Sequence, residues 1–236
     1  MGAQELARLS RELRARAELT EPEDWAAGPA AGAAGPTGAR EALALLQQAV
    51  ASCRLCALGS QRLNAAFGVG SPEARVMLIG EGPGYEEDRQ GVPFVGPAGQ
   101  LLDKILASIG LSRDTVYITN IVKCHPMEDP SDPGKRGNDR PPSPEESAAC
   151  RPYLDEQIRL VRPEALVTLG APAAKVLLAT QEGITRLRGR WREYQPAGGE
   201  PIPLLPTYHP AYLLRDPSKK SDTWTDMKEL KKFLER

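Results

Sequence analysis

The sequence predicts an α/β fold, built as a central, mostly parallel four-stranded sheet with helices on both faces. Three observations predict it. Short apolar strand-like runs alternate with amphipathic segments along most of the chain, the signature of right-handed βαβ units and a covered parallel sheet. At 236 residues the chain can bury one good α/β core, and with only 5% aromatics the filling must be largely aliphatic. The chemically unusual residues fall just after the strand-like runs, where ligands sit in such folds.

Taken in order, residues 5–19 have helical periodicity and many charges, and "EPEDWAAGPAAGAAGPTGAR" then supplies Pro, Gly and Ala with almost nothing to bury. Residues 21–38 read as a flexible linker, so 1–38 form an N-terminal helix and tether and 39–236 one principal domain. "EALALLQQAVASC" is a helix ending at the first cysteines. The strand "ARVMLIG", the helix "AGQLLDKILASIG" and the strand "VYITNIV" follow. A long polar loop leads to the helix "SPEESAACRPYLDEQIRLV", the strand "EALVTLG" and the helix "APAAKVLLAT". The strand "PIPLLPTYHP" and the helix "TWTDMKELKKFLER" close the chain.

Lysine plus arginine (30) nearly balance aspartate plus glutamate (31), so a polyanion would have to be met by a local basic face. No apolar run reaches membrane-spanning length, and the N-terminus lacks the apolar core of a signal peptide. A soluble, cytoplasmic protein is expected.

Four cysteines, Cys53 and Cys56 in "CRLC" and single Cys124 and Cys150, are too few and too oddly spaced for a disulfide scaffold. Thiolates from three elements could converge on one metal centre. Soft ligands select zinc or an iron–sulfur cluster, and spacing does not choose between them.

The loop after the first strand, "GEGPGYEEDRQGVPFVG", is not a phosphate-binding P-loop, because no Gly-Lys-Ser/Thr follows. Gly82 and Gly84 permit close approach of a flat ligand, Phe94 could stack on it, and Glu81, Glu86, Glu87 and Asp88 offer carboxylates. Asn120 and His209 come to the same sheet edge from other strands. An aromatic, an amide and an imidazole round one rim suit a planar heterocycle with amide-like edges.

Together "GEGPGYEEDRQGVPFVGPAGQLLD", "VYITNIVKC", "PPSPEE" with Cys150, and "HPAYLLR" resemble the family 4 uracil-DNA glycosylases, from about Leu45 to the C-terminus. The resemblance implies a monomeric DNA-repair enzyme that flips uracil out of DNA and hydrolyses its N-glycosidic bond, releasing free uracil. It implies that Cys53, Cys56, Cys124 and Cys150 hold a [4Fe–4S] cluster with a structural role. It also implies that Phe94 stacks on uracil, Asn120 reads N3–H and O4, and His209 donates to O2, where charge develops, with the Gly82 backbone assisting. On the same resemblance Glu81, or secondarily Asp88, would handle the water, and Glu87 would exclude the thymine methyl beside Gly84. Pro142 and Ser143 would press on the DNA backbone, Leu213 and Leu214 would fill the gap left by the flipped base, and Arg215 would meet a phosphate.

The chain departs from its relatives in three places. Gly82 stands where other branches place an aspartate, Tyr85 replaces a frequent acidic residue, and "HPMEDPSDPGKRGNDRPPSPEESAA" makes the connection between Cys124 and Cys150 longer than is common. A crosslinking branch carries a nucleophilic histidine in a similar insertion, which makes a covalent or non-turnover uracil-DNA binder the alternative function. Here "GKRGNDR" contains no histidine, and the covalent role is not transferred to His125.

Overall fold

The computed structural model describes residues 36–236 apart from Gly198. The helix expected at residues 5–19 and most of the expected linker lie outside these residues. The helix expected from Glu41 already begins at Pro36: α1 spans Pro36–Ala51, followed by the short α2 (Leu58–Gln61). Next come β1 (Val69–Gly70), β2 (Val76–Gly80), α3 (Tyr85–Gln90), α4 (Pro97–Ala107) and β3 (Tyr117–Asn120). The long loop then leads to α5 (Pro144–Val161), β4 (Ala165–Leu169), α6 (Ala171–Leu178), α7 (Ile184–Leu187) and β5 (Arg192–Tyr194). The chain closes with β6 (Ile202–Thr207), α8 (Pro210–Arg215), a 3-10 turn (Pro217–Lys219) and α9 (Lys220–Leu234).

Among the described residues the sheet has six strands in the order β1-β3-β2-β4-β6-β5, not the four expected. The four anticipated strands are its parallel centre, β3-β2-β4-β6. The two additions, β1 against β3 and β5 against β6, are antiparallel edges. They escape sequence reading because they are two and three residues long and largely exposed, so they carry no buried apolar run.

Strand alternation divides the core in two. Met77 and Ile79 of β2 join Leu43 and Leu46 of α1, Leu154 and Ile158 of α5, and Leu177 of α6 on one face. Val76 and Leu78 join Leu102 and Leu106 of α4 and Met227 and Leu230 of α9 on the other. Both faces are covered by helices, which is why the central strands read as largely apolar runs. Helix α5 starts at a capping box: Ser143 Oγ accepts from the Glu146 amide (3.1 Å), and Glu146 returns a carboxylate to the Ser143 amide (2.7 Å). Such a cap is worth about 1 kcal/mol. No helix among the described residues is long and apolar enough to cross a membrane.

Candidate active site

All four parallel strands deliver their carboxyl ends to one cleft of about 900 Å³, lined by Asn120 at the end of β3 and by Glu81, Gly170 and His209 just beyond β2, β4 and β6. Phe94, on the loop between α3 and α4, completes the floor. The close approach depends on Gly80. A Cβ there would clash with Asn120 Oδ1 and lie 2.5 Å from Phe94 Cζ.

Phe94 is held in a left-handed backbone conformation (φ 56°), which for a residue with a side chain costs about 1–3 kcal/mol and persists only where the surroundings over-determine it. They do. Arg113, paired with Asp103 (2.7 Å), donates to the carbonyls of Pro93 and Phe94. Glu87 accepts from the amides of Val95 (2.9 Å) and Gly96 (3.0 Å), which follow Phe94 in the chain, and from Gly84 (3.2 Å). The Glu87 carboxylate therefore lines the cleft while tying down the loop that carries Phe94.

Asn120 is fully buried, and its Oδ1 has no hydrogen-bond partner within the protein. An orphaned acceptor in a dry site loses about 1–3 kcal/mol, which a ligand donor would recover. The Asn120 carbonyl, by contrast, receives the buried Lys123 ammonium at 2.6 Å.

His209 faces Phe94 with ring centroids 5.6 Å apart. Its Nδ1 accepts from the Ala211 amide (3.1 Å), so the neutral ring carries its proton on Nε2. Burial, reinforced by the Arg215 charge, pushes its pKa down to about 4. The ring is neutral at physiological pH. Burial likewise raises the pKa of Glu81, whose carboxylate lines the same cleft.

Other expected residues fall elsewhere. Asp88 is not brought to the cleft: it is buried on α3 and accepts from the amides of Leu63 (3.0 Å) and Asn64 (3.2 Å). It sits one position past Glu87 on the helix, and adjacent helical positions face different ways. For the same reason Leu213 is 0% exposed while Leu214 is 46% exposed. Arg215 lines the cleft. Ser143 is the cap of α5, and Pro142 precedes it at the surface.

Sequence reading missed Asp139 and Arg136, which enter the cleft wall from the long loop. Their signal was only an insertion. Asp139 Oδ1 lies 2.7 Å from Nε2 of fully buried His125, whose Nδ1 is 3.9 Å from Asp88 Oδ2, an ion-pair distance beyond hydrogen-bond reach. Burial alone would lower the His125 pKa, but Asp139 and Asp88 outweigh it and raise the value to about 9.

Cys53, Cys56, Cys124 and Cys150 line one small pocket between α1, α2 and α5, with Arg62 and Lys123. Among the described residues no group of three or more His, Cys, Asp or Glu side chains is already gathered as a metal site. The donor chemistry nevertheless fits a thiolate-bound metal. Burial raises the Cys56 pKa and holds Cys124 near 11 and Cys150 near 12, so these thiols ionise only beside compensating positive charge. Arg62 supplies part of it, donating to Cys124 Sγ at 2.7 Å.

Comparison with known proteins agrees with this geometry. Residues 67–231 match the family model described as the uracil DNA glycosylase superfamily. The chain is 38% identical to a type-4 uracil-DNA glycosylase of Sulfurisphaera tokodaii, over 82% of this chain and 85% of that one. With a type-4 uracil-DNA glycosylase of Thermotoga maritima it shares 37% identity, over 83% and 96% of the two chains. A type-5 uracil-DNA glycosylase of Thermus thermophilus is 32% identical over 60% of this chain and 67% of its own. With the match covering every strand end that builds the cleft, the chain belongs to the uracil DNA glycosylase superfamily.

Proposed function

We propose that this protein removes uracil from DNA by flipping the nucleotide into the cleft and hydrolysing its N-glycosidic bond, leaving an abasic site and free uracil. The observation that carries this reading is the buried, unpartnered Oδ1 of Asn120 beside Phe94 and a neutral His209. Uracil stacks on Phe94. Asn120 Oδ1 accepts from N3–H while its amide nitrogen donates to O4, an order of donor and acceptor that cytosine reverses. The Nε2–H of His209 donates to O2, where negative charge gathers as the bond to the sugar breaks. Glu81 positions the attacking water, a role supported by its raised pKa in the cleft and by the withdrawal of Asp88 into backbone contacts. Glu87 and Gly84 bound the base edge, and the Gly82 backbone assists at O2. Leu214 and Arg215 meet the DNA beside the cleft, with Leu213 supporting them from within; Pro142 and Ser143 present the start of α5 to the backbone.

The assay is a uracil-containing oligonucleotide, single- or double-stranded, treated with protein and then with or without alkali. Strand cleavage only after alkali, with free uracil released, is the expected outcome. No detergent-stable protein–DNA band should form, because His125 is fully buried and its Nε2 is engaged by Asp139 at 2.7 Å, which keeps the imidazole from a sugar carbon in the cleft. An adduct that vanishes on replacing His125 would make the protein a covalent binder instead.

The four cysteines would hold a [4Fe–4S] cluster, a group that in this setting cross-links α1, the end of β3 and α5 structurally. Anaerobically purified protein should be brown and contain iron, with broad absorption near ~400 nm from thiolate-bound iron. Colourless protein with stoichiometric zinc would replace the cluster with a zinc site.

A further inference from the structure

The long loop between Cys124 and α5 is a built structure. Its base is closed by the Glu128 amide on the Asn138 carbonyl (2.9 Å) and the Arg140 amide on the Pro126 carbonyl (3.1 Å). Buried Asn138 bonds Asp129 and Asp132 from within, Asp139 is tied to His125, and Arg140 grips Glu146 with Nη1 and Nη2 (2.8 and 2.7 Å). This base carries the tip back over the cleft, where Arg136 is 76% exposed. Its guanidinium lies 4.8 Å over the ring of Tyr85, and Nη2 is 2.8 Å from Glu86 Oε1. Two departures from the family pattern, the insertion and Tyr85, thus meet at the cleft mouth.

We propose that Arg136 is a phosphate-binding residue held in readiness by a latch: Glu86 and Tyr85 park its guanidinium at the mouth, and a DNA backbone phosphate takes it from Glu86. The proposal rests on DNA as the substrate. A mouth carrying Glu81, Glu86, Glu87 and Asp139 would repel a polyanion unless those charges are occupied. Glu87 is spent on backbone amides and Asp139 on His125, and Glu81 lies deeper in the cleft where burial raises its pKa, so at the mouth itself the Glu86 charge is the one Arg136 covers. An exposed ion pair of this kind is weak and easily exchanged. A guanidinium has five donors in a fork matched to phosphate oxygens, and stacking on Tyr85 restricts its orientation before DNA arrives. Arg215, on α8, lines the same cleft and supplies a second cation.

The test uses full-length protein and a fluorescent duplex, with anisotropy measured on a uracil-free strand pair across a salt series and excision kinetics on the uracil-containing one. Arg136→Ala should weaken binding roughly five- to tenfold regardless of sequence and lower the salt slope by about 0.9, the value for one phosphate. The loss should appear in KM rather than in the rate at saturating DNA. Arg136→Lys should recover the salt slope and only part of the affinity, since charge returns without the fork. Glu86→Gln should tighten binding about two- to fivefold, and that gain should shrink in the Arg136→Ala background, because part of it is the released arginine. Unchanged affinity and salt slope in Arg136→Ala, or an equal gain from Glu86→Gln in both backgrounds, would overturn the latch. Failure of the wild type to release uracil would instead overturn the glycosylase reading, leaving the binding measurements on uracil-free DNA to judge Arg136 by themselves.

Discussion

His209→Ala is expected to slow uracil release by roughly 10²–10³ in single-turnover rate, the usual loss for one donor to a developing oxyanion, while DNA binding changes only a few-fold. The asymmetry follows from the proposed role, in which the Nε2–H bond to O2 would strengthen as the glycosidic bond breaks and be ordinary before then. The structure supplies the two conditions for a neutral donor: Nδ1 is occupied by the Ala211 amide, and burial with Arg215 holds the pKa at about 4. The rate should therefore show no inflection from this ring near its ordinary pKa of 6.5. The stability effect has a definite sign. The folded pKa is depressed, so the unfolded chain binds this proton first; the ring's contribution is whole above pH 6.5 and is lost as pH falls from 6.5 toward 4. His209→Ala should flatten that part of a denaturation-versus-pH curve. Equal losses in binding and rate would move His209 from catalysis to docking.

Gly80→Ala should be nearly as damaging to turnover although it adds a single methyl group outside any ligand contact. Its Cβ would press on Asn120 Oδ1 and Phe94 Cζ, neither of which has room to yield. Asn120 is held by its buried place at the end of β3 and, through its backbone carbonyl, by Lys123, and Phe94 by Arg113, Glu87 and the carbonyl that abuts Gly99. A displacement of about 1 Å in such a pair costs on the order of 10² in rate. The fold should survive, since β2 tolerates a small apolar residue and its pairing is main-chain. The informative readout is thus excision rate against circular dichroism. Gly183→Ala, where a Cβ meets nothing within 4 Å, is the control. A Gly80→Ala protein with wild-type turnover would show that Phe94 and Asn120 are free to move apart.

The central strands, their helices and the cleft at the strand ends were legible in the sequence. A strand covered on both faces must be apolar throughout, and the helices that cover it must be amphipathic, so both leave periodic patterns that are local in the chain. Phe94, Asn120 and His209 were legible for a related reason: each follows an element whose end is marked by its own neighbours. What local pattern cannot carry is direction and company. Asp88 and Glu87 are adjacent, yet one turns inward to two amides and the other clamps the Phe94 loop. Leu213 and Leu214 divide in the same way between core and solvent. The edge strands β1 and β5 were invisible because exposed short strands owe their existence to the partner they pair with. Asp139 and Arg136 lie in a polar loop whose composition suits a solvated connection as well as a DNA-contacting segment, and only its closure on His125, Glu146 and Glu86 makes it a wall of the cleft. The sequence by itself determined the parallel core and the gathering of Phe94, Asn120 and His209 at one rim of it, because burial and strand ends are written locally. The tertiary structure alone decided which carboxylates reach the cleft and what the insertion does, because hydrogen-bond partners distant in sequence determine where those side chains point.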